Sequence, residues 1–316
     1  MKKGVIIAIV VSLLTAGSVF AAGGKDAGKD QIKIGFSIGD LSNPIWITMV
    51  KNMEKKAKEL GVQFICKDYK QNIATQIDDI ENFLTMGCQV IIIHAMDYEA
   101  ALPLVREATG KGVKVISYDV DLPGSDAFCG VDNTVVGRAI GQMTGEWINK
   151  NVGGKGVVGI FGYPTILAIL ERENGMKAGL RETAPNARIV GSVSAGFAEE
   201  GVTEAENFMQ SNPDINAIMG INDGAILGAY EAFNAAGWGN KNVGLFGCDA
   251  VTDAMEAIDK DGVYKGTIFL SVLWAGEAMI ENSIKMARGE PYEKKIITPP
   301  IVITRENVKQ YLNVYK

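Results

Sequence analysis

Short runs of consecutive apolar residues alternate along this chain with longer stretches in which apolar residues recur every three or four positions. The runs at 32–38, 62–66, 89–94 and 113–117 read as strands. The third, Gln89-Val-Ile-Ile-Ile-His94, lacks the alternation of a half-exposed strand and predicts burial on both faces. Ile45, Met49, Met53, Ala57 and Leu60 keep helical spacing after Pro44. Asn43 is the expected N-cap of that helix and Pro44 its first residue. Helices are predicted at 73–86 and 98–110. An irregular stretch from Asp119 to Gly124 and a short strand near 128–131 complete this first series.

A second series starts with a helix at 134–150. Strands at 156–161, 189–194, 215–221, 243–246 and 264–269 follow, separated by helices at 166–183, near 200–210, from 224 and over 251–260. A helix over 272–288 precedes an extended piece at 296–303, broken by Pro299-Pro300. A last short helix is predicted from Val308, Tyr311 and Leu312. Two βα series predict an α/β fold with parallel sheets covered by helices on both faces. No Pro/Ser-rich linker divides them, so the chain is expected to cross between lobes on short extended segments near 132–134, 270–272 and 299–301. That gives an N-terminal lobe of 31–133 plus 271–299 and a C-terminal lobe of 134–270 plus 300–316. Several crossings suit hinge closure, in which a few residues absorb the change of angle.

The start of the chain has a different character. Lys2 and Lys3 precede an apolar run from Val5 to Leu14, and small residues lead to Val19-Phe20-Ala21. This is the charged, apolar and small-residue order of a secretory signal, expected at 1–22 with cleavage near Ala21 or Ala22. The run is too short to span a bilayer comfortably. Residues 23–30, rich in Gly, Lys and Asp, predict a disordered leader. Of 316 residues, roughly 290 then remain, enough for two cores. Loss of Lys2 and Lys3 takes the formal net charge from −6 to −8. An acidic chain with no basic stripe excludes an ordinary nucleic-acid binder. Cys66, Cys88, Cys129 and Cys248 each lie in or beside an apolar strand and read as buried thiols rather than a disulfide framework.

Enzyme motifs fail on context. The Gly-x4-Gly-Lys within 23–30 follows no strand and lacks the Ser or Thr of a phosphate loop. Gly35-Phe-Ser37-Ile-Gly39 places its serine inside the first strand, not on a strand-to-helix turn. His94 is the sole histidine, so neither a catalytic base with partners nor a metal set can be built around it; no metal and no cofactor are expected. His94 reads as a satisfied strand-end residue, with contact to a ligand at the strand end as its second reading.

What remains is a scatter of polar and aromatic residues where predicted strands end: Asn43, Trp46, Asp119, Arg172, Asn222 and Asp249. In open α/β sheets ligands bind in the crevice beyond the carboxyl ends of the strands. Each residue has a plainer role: a helix cap for Asn43, Asn222 and Asp249, core packing for Trp46, a turn for Asp119, a solvated helix charge for Arg172. Their common position at one sheet edge favours a polyhydroxy ligand, with carboxylates accepting hydroxyl protons, amides doing both, arginine donating and an indole stacking on C–H faces.

Ser42-Asn-Pro-Ile-Trp46, Val115-Ile-Ser-Tyr-Asp119, Arg172-Glu-Asn-Gly-Met176, Asn222-Asp-Gly-Ala225 and Gly247-Cys-Asp249 occur in this order over the chain. In them the chain resembles type I periplasmic sugar-binding proteins, the ribose and galactose group, from Ile32 to Leu312. The resemblance implies two Rossmann-like lobes joined by a three-crossover hinge and closing on one monosaccharide. It implies delivery to an inner-membrane ABC permease and, in some relatives, to a chemoreceptor. It implies sugar-hydroxyl contacts from Asn43, Asp119, Arg172, Asn222 and Asp249, with Trp46 and Phe197 as the clamping rings. The chain departs from ribose binders at Gly39, Ile45, Val120 and Leu270, where contacts of that group are missing; Asp40, Ser42, Asp121 or Ser271 are candidate replacements. The expected function is a periplasmic, monomeric binding protein for a pentose, hexose or related polyol, not an enzyme. A same-fold binder of a nucleoside or signalling furanose is the alternative.

Overall fold

In a computed structural model of the chain the described residues are 31–42, 44–95, 97–239 and 241–315. The expected signal and leader, 1–22 and 23–30, and the candidate Asn43 lie outside them. Along the chain, β1 (Lys33–Ile38), α1 (Pro44–Glu59), β2 (Gln63–Asp68), α2 (Ile73–Thr85), β3 (Val90–His94), α3 (Tyr98–Gly110), β4 (Lys114–Tyr118) and β5 (Ala127–Gly130) form the first βα series. The second runs through α4 (Asn133–Val152), β6 (Val157–Gly162), α5 (Leu167–Thr183), β7 (Arg188–Ser194), α6 (Ala198–Ser211), β8 (Ala217–Gly220), α7 (Asp223–Ala235), β9 (Gly244–Cys248), α8 (Thr252–Asp259) and β10 (Tyr264–Leu270). Then come α9 (Val272–Arg288), β11 (Lys295–Ile297), β12 (Pro300–Thr304) and a short 3-10 turn at Val308–Gln310.

The strands assemble into two sheets with matching orders, β11-β5-β4-β3-β1-β2 and β12-β10-β9-β8-β6-β7. Neighbours pair in parallel, except β12, which runs antiparallel to β10. Each sheet carries apolar clusters on both faces, and every residue of β3 is buried, as its unbroken apolar run predicts. In both orders the first strand of the series lies beside the third. That is the switch point at which helices leave for opposite faces and a crevice opens beyond the strand ends.

The sheets exchange chain three times. β5 gives way to α4 at 130–133, β10 to α9 at 270–272, and β11 to β12 at 297–300. The predicted single extended piece at 296–303 is therefore two strands in different sheets. Thr298 still donates its N–H to the Gly130 carbonyl at 2.8 Å, whereas Pro300 already pairs with Leu270 in the other sheet. Pro299, with no N–H, sits where no ladder bond is needed, and Pro300 is tolerated because β12 is an edge strand. The predicted last helix shrinks to the turn at Val308–Gln310; its apolar spacing serves packing instead, with the Tyr311 and Tyr315 rings 5.6 and 6.0 Å from Phe269.

Helix ends follow the local rules. Asn72 caps α2 by accepting from Ala74 N–H at 2.9 Å, and α4 ends at Gly153 with φ 68°. One helix pair is unusually close. Gly137 and Gly141 of α4 face Gly175 and Gly179 of α5, and a methyl on Gly137 would strike the Arg172 carbonyl. Among the described residues no helix is long and apolar enough to cross a membrane.

Candidate functional site

Four of the predicted site residues, from both sheets, line one cavity of about 320 Å³. Trp46 comes from the first turn of α1 and Asp119 from the end of β4; Arg172 comes from α5 and Asp249 from the end of β9. These are carboxyl ends of strands or the helices that follow them, the edge at which the apolar runs stop and polar residues begin.

The two aspartates occupy the same place in the two sheets. Each follows the fourth strand of its series, has a left-handed backbone (φ 68° at Asp119, 111° at Asp249), and donates its N–H to the next strand. Asp119 donates to Cys129 O at 2.9 Å and Asp249 to Ile268 O at 2.8 Å. Positive φ is uncommon outside glycine, and aspartate is among the residues that tolerate it. The turn lifts each side chain out of the ladder.

Their surroundings differ. The Asp119 carboxylate is 60% exposed, with Oδ2 3.8 Å from His94 Nε2. His94 is itself buried: Nδ1 accepts from Gly39 N–H at 3.3 Å, and the ring lies 4.7 Å from Trp46, nearly perpendicular to it, and 5.4 Å from Tyr118. With Nδ1 engaged by Gly39, Nε2 is the ring nitrogen that faces Asp119. His94 thus backs both Trp46 and Asp119 from beneath.

Asp249 is half-buried. Burial pushes its carboxyl above the ordinary carboxylate range, while Arg172, the Cys248 thiol and the backbone N–H of Asp223 pull it back. Asp223 is more deeply enclosed. Its carboxylate accepts from the Tyr264 hydroxyl at 2.7 Å, the Thr267 hydroxyl at 2.7 Å and Val251 N–H at 3.0 Å. Burial, and then the charge of Asp249, nonetheless raise it. By holding Val251, Asp223 fixes the far side of the turn that presents Asp249.

Arg172 is 8% exposed. Nε donates to Asn133 Oδ1 at 2.9 Å and Nη1 to Ile221 O at 2.6 Å, which locks the fork against α4 and the end of β8. Among the described residues no ion pair joins Arg172 to Asp249, although both line the cavity. Arg172 and the half-buried Asp249 line a shared space, near enough for the guanidinium charge to lower the Asp249 carboxyl.

Other candidates lie elsewhere or are engaged. Asn222 caps α7, accepting from Ala225 N–H at 3.0 Å and donating to Gly196 O at 2.8 Å. Phe197 is 70% exposed on a turn that Glu200 holds by accepting from Gly196 and Phe197 N–H. The Ser271 hydroxyl caps α9. The half-buried Asp40 accepts from Ser42 N–H at 2.8 Å, and hydrogen bonds from the Ser42 hydroxyl first and this N–H second lower its carboxyl. Ser42 is exposed, and Asp121 lines a separate surface hollow beside Tyr292 and Lys294.

The cavity also holds residues that sequence reasoning did not assign. Tyr118 and Tyr315 add two aromatic walls, and Val131, Leu270 and Val272, from the crossing segments, form its back. Tyr315 could have been found from its spacing to Tyr311, which repeats one helical turn.

The periplasmic binding protein domain family matches residues 34–291. The chain is similar to the ribose import binding protein RbsB of Bacillus subtilis (strain 168), with 30% identity over 308 residues, covering 95% of this chain and 98% of the relative. Among solved structures it is similar to an ABC transporter periplasmic solute binding protein from Actinobacillus succinogenes 130z with bound D-allose (26% identity, TM-score 0.74, 89% of this chain and 100% of that one). It is likewise similar to an ABC transporter solute binding protein from Bacillus halodurans C-125 with bound myo-inositol (26% identity, TM-score 0.69, 90% and 98%).

Proposed function

The chain belongs to the periplasmic binding protein domain family, and from that membership and the chemistry of its cavity we propose that it is the substrate-binding protein of an ABC importer for a monosaccharide or related polyol. One observation carries the reading: a buried arginine and a half-buried aspartate, with no ion pair between them, line a cavity with an indole and a second aspartate contributed by the other half of the chain. A volume of about 320 Å³ is at the lower end of small-molecule sites, which run to about 1,000 Å³.

In this reading Arg172 donates to ring or hydroxyl oxygens, Asp119 and Asp249 accept from hydroxyls, and Trp46 stacks on a C–H face. Asn43, Asn222 and Phe197 join on closure of the lobes 31–133 plus 271–299 and 134–270 plus 300–316. The ligand favours the closed form because only that form gives it contacts from both lobes at once. The permease then recognises closure, and the protein releases its cargo chemically unchanged. The signal at 1–22 sends the chain to the periplasm as a monomer; delivery to a chemoreceptor is a further use of the same closed face.

Thermal shift over a panel of sugars, polyols and nucleosides tests this, since a ligand that binds only the folded state raises the melting temperature. Arg172→Ala should remove the shift given by the best sugar or polyol while the unliganded protein stays folded. Unchanged affinity in that variant would remove Arg172 from the site, and stabilisation by nucleosides alone would replace the sugar with the alternative.

A further inference from the structure

The polar groups of the cavity are not evenly spread. Asp119, Arg172 and Asp249 stand on the two facing lips, at strand ends and on α5. The back of the cavity is made by the segments that cross between the sheets, and it is largely aliphatic. Val131 stands in the first crossing, and Leu270 and Val272 flank Ser271 in the second. The one hydroxyl that could have broken this surface in the second crossing, that of Ser271, is turned into α9, where it accepts from Trp274 N–H at 3.2 Å. Thr298, in the third crossing, is the hydroxyl residue of that wall among the described residues. Val131, Leu270 and Val272 are each half-buried, packed on the apolar clusters behind them and open toward the cavity.

A ligand hydroxyl pressed against such a wall loses its water without gaining a partner, which weakens binding by about 5- to 150-fold. A methyl or bare C–H edge in the same place gains by leaving water. We infer that the crossing segments select a ligand with one apolar edge, a deoxy or O-methylated sugar or polyol, and that Leu270 and Val131 are the residues that read this edge. The inference rests on the sugar-binding reading above and narrows it.

Isothermal titration with matched pairs tests it: D-galactose and D-fucose, L-mannose and L-rhamnose, D-allose and 6-deoxy-D-allose, myo-inositol and its monomethyl ethers. In whichever series binds, the deoxy or O-methyl member should bind at least fivefold tighter than its fully hydroxylated parent. Leu270→Gln should bring the two within about twofold or reverse them. Val131→Thr, a nearly isosteric change that adds only a hydroxyl, should shift the ratio in the same direction and guards against misfolding of the first variant. Equal or tighter binding of the parent, or a ratio unmoved in both variants, overturns the inference while leaving a sugar-binding protein. Absence of binding by every sugar and polyol overturns both.

Discussion

At the residue scale, the most consequential pair is two neighbouring aspartates whose charges repel. Asp223 is buried and Asp249 half-buried, and both are raised above the ordinary aspartate value near 4. A raised carboxyl favours the folded state while it is neutral. Its contribution is complete below about pH 4 and drains away as pH climbs through the folded value toward and past neutrality. The unliganded protein should therefore melt at lower temperature with rising pH across that window. Asp249→Asn removes one of the like charges and should flatten the slope, because Asp223 then faces a neutral amide; a melting curve against pH checks this, and an unchanged slope refutes it. The same variant should lose about 10- to 100-fold in affinity, since a charged acceptor is worth about 1.5–3 kcal/mol. Sequence pattern located Asp249 because it follows an apolar strand. It did not reveal Asp223 as the support of Asp249, because the sequence Asn222-Asp-Gly is equally well explained by a helix cap, which Asn222 indeed supplies. Tyr315, Val131 and Val272 escaped for a similar reason: an apolar residue facing a cavity and one facing a core have the same spacing, and Leu270 was marked only through the resemblance.

At the scale of elements, the strands and long helices were legible because period and length agree with burial in the inner strands of both sheets. The weaker readings were short. The last apolar triad has too few residues to stabilise a helix alone, and ring contacts with Phe269 took its place. The break at Pro299-Pro300 was visible, but the exchange of strands between sheets across it was not, since no local signal says which sheet an edge strand joins. The α4–α5 contact was equally hidden, although its glycines are plain in the sequence: only the folded pair shows that they let two backbones touch. Gly137→Ala should cost about 1–3 kcal/mol by forcing the helices apart. It should also weaken ligand binding, because the atom it strikes is the Arg172 carbonyl. Denaturant unfolding and titration of the same variant measure the two effects, and a variant with wild-type affinity would separate helix spacing from the aim of Arg172.

At the scale of the whole molecule, three crossings between two sheets restrict how the halves can move relative to each other, and the cavity lies against those crossings. A ligand present at a hundred times its dissociation constant adds about 2.7 kcal/mol to the folded state. At about 2–4 °C per kcal/mol this should raise the melting temperature by roughly 5–10 °C. Small-angle scattering should show a smaller radius of gyration on saturation with that ligand, and no such decrease with Arg172→Ala; an unchanged radius in the wild type would rule out closure. The paired aspartate turns carry a different consequence. Both turns bond a positive-φ aspartate to the neighbouring strand, but the second opens to φ 111° and adds a left-handed Ala250 (φ 53°) that the first does not have. They are not interchangeable: grafting 118–121 onto 248–251 would force β-branched Val120 into the left-handed conformation of Ala250, so the two halves must be redesigned each on its own backbone.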